Sequence, residues 1–216
     1  MPVVPPTAAL AGVPAGVQGN GLWIGRRQLF VRFAAEAETA TMYTPDALVT
    51  ELTRLIGRST YHSVSVSGRD PLANAAFLRA AFEKQQPTLP TMLDCDGQRP
   101  ESIGEIVRFL GLVQVTLEGS PPEPVIERAA ASLKAAAGAS VAHALVLAPA
   151  DSTTDGQLLR MISQAHTTST ATAVVVHPPG DSAEQDRRWL TFMEHAVALH
   201  GDVRLVPRLS RPTGMR

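Results

Sequence analysis

The sequence predicts an α/β fold of mostly parallel strands covered by helices, in a single domain. Two observations carry that expectation. Short apolar runs of strand length alternate with longer stretches whose apolar residues recur every three or four positions, the rhythm of repeated βα units. Hydrophobic residues make up 44% of the 216 positions and charged residues 18%, which suits a globular chain with one core. This rhythm leaves open a doubly wound sheet and a partial barrel. Either one places function on the loops that follow the strands' carboxyl ends.

Proline and alanine dominate residues 1–16, which read as an extended or flexible leader before a domain spanning 17–216. The leader has neither the basic start nor the long apolar run of a secretory signal. Residues 28–33 form the first strand. Thr44 then offers an N-cap hydroxyl and Pro45 a first helical residue; Leu48, Leu52, Leu55 and Ile56 supply an apolar stripe that Gly57 closes. Residues 62–66 are a strand running into Ser67 and Gly68, and Pro71 opens a helix carrying Leu72, Ala75, Ala76 and Phe77 to the core. Further strands fall at 91–93, 112–117, 143–148 and 171–176, each followed by a helix, at about 100–109, 125–137, 155–166 and 182–200. Residues 203–206 make a last short strand.

Charge narrows the function classes. Nineteen basic residues against twenty acidic ones give a net charge of -1, with no basic footprint for nucleic acid. No apolar run approaches the ~18 residues that cross a bilayer. A single cysteine, Cys95, excludes an intramolecular disulfide framework and suits a reducing compartment, so a soluble cytoplasmic protein is expected.

Five stretches, taken in order, carry a family likeness: QGNGLWIGRRQLFVRFA at 18–34, VSVSGRDPLANAAFLRA at 64–80, MLDCDGQRPESI at 92–103, GLVQVTLEGSP at 111–121 and DVRLVPRLSRPTGMR at 202–216. Together they resemble the 7-carboxy-7-deazaguanine synthases of queuosine biosynthesis, a branch of the radical-SAM superfamily. The resemblance spans about residues 17–216 and implies a partial (βα)6 TIM-type barrel and, for active members, a homodimer. It also implies an iron-sulfur cluster on a CxxxCxxC loop and S-adenosylmethionine as cosubstrate.

The departures fall where that chemistry would be. The three cysteine positions hold Glu36, Ala40 and Tyr43, none of which supplies the soft thiolate an iron-sulfur cluster needs. The family's substrate-contacting glutamate corresponds to Asn20, and its GGEP loop to Gly68, Arg69, Asp70 and Pro71. Its Cys-Asp-Thr stretch corresponds to Tyr43, Thr44 and Pro45. Its strand aspartate and lysine correspond to Thr116 and Glu118, and its C-terminal histidine and lysine to Ser210 and Arg211. Scaffold positions match instead: Gly19, Gly21, Gly25, Phe30, Val31, Arg32, Gly68, Pro71, Gly97 and Gly214.

From this the sequence yields two readings, beside a third in which the chain is simply one of the 7-carboxy-7-deazaguanine synthases it resembles, an activity the missing cysteines do not support. The first is a radical-SAM-like pseudoenzyme without a cluster, acting as a ligand-binding or partner subunit. It would be a homodimer, or a heterodimer with an active homologue, and its old cavity would hold a nucleotide-like or pterin-like molecule. S-adenosylmethionine remains only a candidate ligand. The resemblance then implies a ligand set of Asn20, Gly68, Arg69, Asp70, Thr116 and Arg211. The second is a lyase or hydrolase of changed mechanism using Glu36, Asp70 and Cys95, with Glu36 and Glu38 as ligands for a hard cation such as magnesium.

Plainer readings stand beside each candidate. Glu36 and Glu38 read equally as solvated loop glutamates, and Cys95 as a structural thiol whose flanking aspartates discourage the thiolate. The histidines at 62, 143, 166, 177, 195 and 200 show no ligand spacing and read as structural or exposed. Arg26, Arg27, Arg32, Arg69, Arg208 and Arg211 would suit an anion if they converged; a dispersed, solvated set is the simpler expectation. The glycines at 19, 21 and 25 precede their strand and open no helix, so they make no dinucleotide fingerprint.

Overall fold

The computed structural model describes residues 5–180 and 187–209. Its sheet begins earlier in the chain than the composition suggests. β1 (Ala8–Gly12) and β2 (Ala15–Val17) run antiparallel along one edge of β3 (Arg27–Phe33), with Leu10 opposite Phe33 and Ala15 opposite Leu29. Ala8 and Leu10 are buried. The flexible leader expected for residues 1–16 is therefore replaced, from Ala8 on, by two paired strands. Their small alternating side chains and the break at Gly12 and Pro14 disguise them as low-complexity sequence.

β4 (Thr41–Tyr43) pairs with β1 and leads into α1 (Pro45–Ile56). Thr44 caps that helix as expected, accepting from the Ala47 amide at 3.2 Å. Gly57 ends it in ordinary right-handed backbone. β5 (Ser63–Gly68) lies parallel to β3 on its other edge. A 3-10 turn at Pro71–Asn74 precedes α2 (Ala75–Lys84), so the helix expected at Pro71 starts as a tighter turn.

From there the βα rhythm holds: β6 (Thr91–Cys95), α3 (Pro100–Ile106), β7 (Leu112–Glu118), α4 (Glu123–Gly138), β8 (Ala142–Ala148), α5 (Asp155–Thr168), β9 (Ala173–Val176), α6 (Arg187–Leu199) and β10 (Val203–Leu205). Each strand pairs parallel with the one before it, giving the order β10-β9-β8-β7-β6-β5-β3-β1-β4. The fold is a mostly parallel α/β sheet, as expected. Among the described residues it stays open, with β10 and β4 as its two edges and no closing pair between them.

Alternation along the strands divides their side chains between two faces. Leu29, Val31, Val64, Val66, Leu93, Val113, Val115, Leu145, Leu147, Val174 and Val176 join the helices in the main core. The residues between them, including Gln28, Ser63, Ser65, Asp94, Gln114 and Thr116, face the other way, into the hollow of the sheet. The apolar part of that hollow is a small cluster of Met92, Leu112, Ala144 and Ala173 under Leu22 and Trp23. Among the described residues no helix is long and apolar enough to cross a membrane.

The burial of Leu10 supplies a direct check. Leu10→Ala should lower unfolding stability by about 2–5 kcal/mol in a urea titration, the range for an emptied core leucine. A leader outside the core would cost no more than about 0.5 kcal/mol.

Candidate functional site

The hollow of the sheet is floored by the loop 18–26, which joins β2 to β3. The loop closes on itself through Gln18 N–H to Arg26 O at 2.9 Å and Gly25 N–H to Gln18 O at 2.8 Å. It is then tied to strands across the sheet. Leu22 N–H donates to Gln114 Oε1 at 3.1 Å on β7, and Gly21 N–H donates to His177 Nε2 at 2.8 Å just beyond β9. Gly21 has φ +72°, and a Cβ there would stand 1.9 Å from Gln114 Oε1, so only glycine fits. The C-terminal segment is drawn in as well, Leu209 N–H donating to Gly19 O at 3.0 Å.

Above this floor, at the carboxyl ends of β5, β6 and β7, opens a pocket of about 800 Å³. Volumes of this order are usual for small-molecule sites. Asn20 and Thr116 rise from its floor, and Arg69, Asp70, Glu118 and Arg208 stand at its rim. Asn20 Oδ1 is held by Gln18 Nε2 at 2.7 Å.

Asp94 is the central carboxylate. It projects from β6 into the hollow, and Thr116 Oγ1 donates to its Oδ1 at 2.9 Å. Burial pushes its carboxyl above the usual aspartate range; hydrogen bonds from Thr116, Gln114 and Gln18 and the charge of Arg208 oppose the rise. Such a group accepts a hydrogen bond as the carboxylate and offers an O–H once protonated.

The residues singled out from the sequence separate into two groups. Asn20, Gly68, Arg69, Asp70, Cys95 and Thr116 all line this pocket, whereas Arg211, like Ser210, lies outside the described residues. Glu36 and Glu38 take no part in its lining. Arg69 Nη2 holds Glu36 at 2.8 Å and Arg32 Nη2 holds Glu38 at 2.6 Å. Asp70 sits in left-handed backbone at φ 41°, accepts from the Ala73 amide, and is clamped by Arg99, whose Nε lies 2.8 Å from both carboxylate oxygens. The carboxylate cluster of Glu36, Glu38 and Asp70 is thus not assembled, each acid answering a different arginine.

Cys95 is buried, and its thiol lies 3.7 Å from the Gln114 carbonyl. Burial pushes its pKa up to about 12; the Gly97 amide opposes this, while Asp94, Asp96 and Asp70 add to it. A thiol so held is a poor nucleophile. The arginines are dispersed: Arg27 bonds Ser59 and Thr60 and stacks on Tyr61, and Arg208 reaches Glu118 at 3.3 Å.

Two participants escaped the sequence reading. Asp94 differs from Cys95 by one position, and strand alternation, with Leu93 facing the helices, is the signal that separates the two. His177 shows no sequence signal, because its partners Gly21 and Val206 are remote along the chain.

Known proteins share parts of this frame. The chain is 31% identical over 124 residues to the 7-carboxy-7-deazaguanine synthase of Methanothermobacter thermautotrophicus (strain Delta H), a match covering 51% of this chain and 49% of that one. The likeness to that synthase is real but partial. The matched region spans about half the length of the curated relative. No family model matches the chain. Among solved structures, an enolase from Gibberella zeae PH-1 complexed with magnesium, formate and sulfate aligns with a TM-score of 0.36 and 13% identity, over 82% of this chain and 46% of that one. Dihydropteroate synthase from Thermus thermophilus aligns with a TM-score of 0.32 and 12% identity, over 94% of each chain. Those two structural likenesses are too distant to carry an inference.

His177 makes the floor pH-sensitive. Its Nδ1–H donates to Val206 O at 2.7 Å while Nε2 accepts from Gly21, which requires the neutral ring. Burial, and after it the charge of Arg208, depress its pKa, the Val206 bond opposing. The unfolded chain, with a histidine pKa of about 6.5, therefore takes up the proton first. The stabilisation is complete above about pH 6.5 and is lost as pH falls through the depressed folded value. His177→Ala should cost about 1–3 kcal/mol at neutral pH by leaving the Gly21 N–H and Val206 C=O unpaired. It should also flatten the decline of stability below about pH 6.5 in denaturation series. The depressed pKa of His62 is common to both proteins, so the difference between their slopes isolates His177.

Proposed function

We propose that this chain is a cluster-free, radical-SAM-like protein related to 7-carboxy-7-deazaguanine synthase, and that it binds a small polar ligand in the pocket above the loop 18–26. The observation that carries the reading is the residue content of the former cluster loop: Glu36, Ala40 and Tyr43 stand in the three thiolate positions. The chain's one cysteine is buried elsewhere with its thiol protonated. These donors do not fit an iron-sulfur cluster.

The pocket itself supports binding. Asn20, Asp94 and Thr116 offer convergent donors and acceptors on its floor, while Arg69 and Arg208, each paired with a glutamate, stand at its rim. A nitrogen-rich heterocycle, nucleotide-like or pterin-like, matches that hydrogen-bonding floor. The pairing of Asp70 with Arg99 and of Glu36 with Arg69 favours recognition over carboxylate-driven catalysis.

The test is a thermal-shift screen of the purified protein against S-adenosylmethionine, S-adenosylhomocysteine, reduced pterins and deazaguanines. A ligand at ~100 times its dissociation constant adds ~2.7 kcal/mol, several degrees for a domain of this size. The shift should vanish in Asp94→Ala. Silence across the panel would overturn the binding reading. Stoichiometric cluster absorbance after anaerobic iron and sulfide reconstitution would overturn the absence of a cluster.

A further inference from the structure

Histidine spacing along the chain gives no metal motif, yet the fold brings two of the six together. His166 lies in the last turn of α5, and His200 follows the end of α6. Their Nδ1 atoms stand 3.1 Å apart, with the rings crossed at 81°. His200 is buried and its Nε2 is 2.5 Å from the Thr172 carbonyl, just ahead of β9. A carbonyl accepts only, so that nitrogen carries the proton. The lone pair of His200 Nδ1 is then fixed and aimed at His166. His166 is exposed, which leaves the pair open to solvent on one side.

We propose that His166 and His200 form a two-imidazole site for a divalent transition metal, zinc in particular. Several physical features point this way. Two imidazole nitrogens bound to one tetrahedral zinc at ~2.0–2.1 Å stand about 3.3–3.4 Å apart, close to the observed 3.1 Å, and the exposed His166 ring would swing sideways and turn so that both lone pairs meet at the metal. Metal-bound histidine usually donates its other N–H to a carbonyl or carboxylate, which fixes tautomer and ring plane. The bond from His200 to Thr172 does this before any metal arrives. Binding asks His166 only to carry its proton on Nε2, so no net proton need leave the pair. Imidazole suits zinc, nickel and copper and disfavours magnesium. Among the described residues no group of three or more His, Cys, Asp or Glu gathers, so water would complete the coordination shell.

The site lies at the amino end of β9, whereas His177 and the ligand pocket lie toward its carboxyl end. At ~3.3 Å per residue, the five steps from Thr172 to His177 separate them by about 16 Å. Metal there would staple the end of α5 to the end of α6, independently of what the pocket holds.

The test is titration of the full-length wild-type protein with Zn²⁺, and with Mg²⁺ for comparison, by calorimetry and thermal shift. One equivalent of Zn²⁺ should bind and raise the melting temperature; Mg²⁺ should do neither. Because His166 is exposed, His166→Gln should fold normally yet bind Zn²⁺ at least about tenfold more weakly, since even an outer-sphere partner is worth about 10–100-fold. His195→Gln, an exposed histidine on α6, should leave binding unchanged. With Cu²⁺ as the probe, the electron paramagnetic resonance spectrum should carry splitting from two nitrogens in the wild type and lose one of them in His166→Gln. No Zn²⁺ binding by the folded wild type, or undiminished binding by His166→Gln, overturns the site.

Discussion

The loop 18–26 is held by two hydrogen bonds that reach across the sheet, and the rest of the pocket depends on them. An open parallel sheet leaves its hollow facing solvent, and polar groups such as Gln114 and His177 lie buried there. The loop answers both problems. Leu22 and Trp23 cover the apolar patch at the base, and the amides of Gly21 and Leu22 satisfy His177 and Gln114. Because the same loop receives the Leu209 amide, the chain's last described segment is tied to the loop between β2 and β3. Asn20 presents its amide to the pocket from this tethered loop.

Charge at the mouth is arranged in pairs. Glu36 with Arg69, Glu38 with Arg32, Asp70 with Arg99 and Glu118 with Arg208 each neutralise locally. Exposed pairs of this sort contribute little stability, with a median of about 0–1 kcal/mol. Their effect here is on chemistry: they occupy the carboxylates that a hard cation would need. Asp94 differs from those four. It is held by hydroxyl and amide donors on the pocket floor, and its raised pKa follows from burial rather than from a neighbouring anion.

Much of the fold was legible because the βα rhythm is local. Apolar stripes and proline or threonine helix starts are written within a dozen residues, and strands β5 to β10 fall close to their expected positions. β1 and β2 were hidden by composition, since alanine and proline suggest a tail until Leu10 is seen to face the core. β4, at three residues, is too short for a period to show. In the site, Asn20, Arg69, Asp70 and Thr116 were legible through family resemblance, and the structure gathers them around one pocket. The remainder depends on pairings remote in sequence: Asp70 with Arg99, Gly21 with His177, His166 with His200. Such pairs leave no spacing to read. Residue type singles out Cys95, whereas β6 turns the Asp94 carboxylate to the hollow and packs Cys95 into the core.

Gly21 and Gly68 fit where any side chain would collide, the first with Gln114 and the second with the Phe33 carbonyl. Their requirement comes from the frame and is indifferent to what the pocket holds. A lineage that abandoned its reaction would still be obliged to keep them, or lose the fold. Glycine signatures of this kind therefore date the scaffold rather than the chemistry. A motif search weighted on them gathers working and silent members alike; to sort the two, one must read the positions between the glycines.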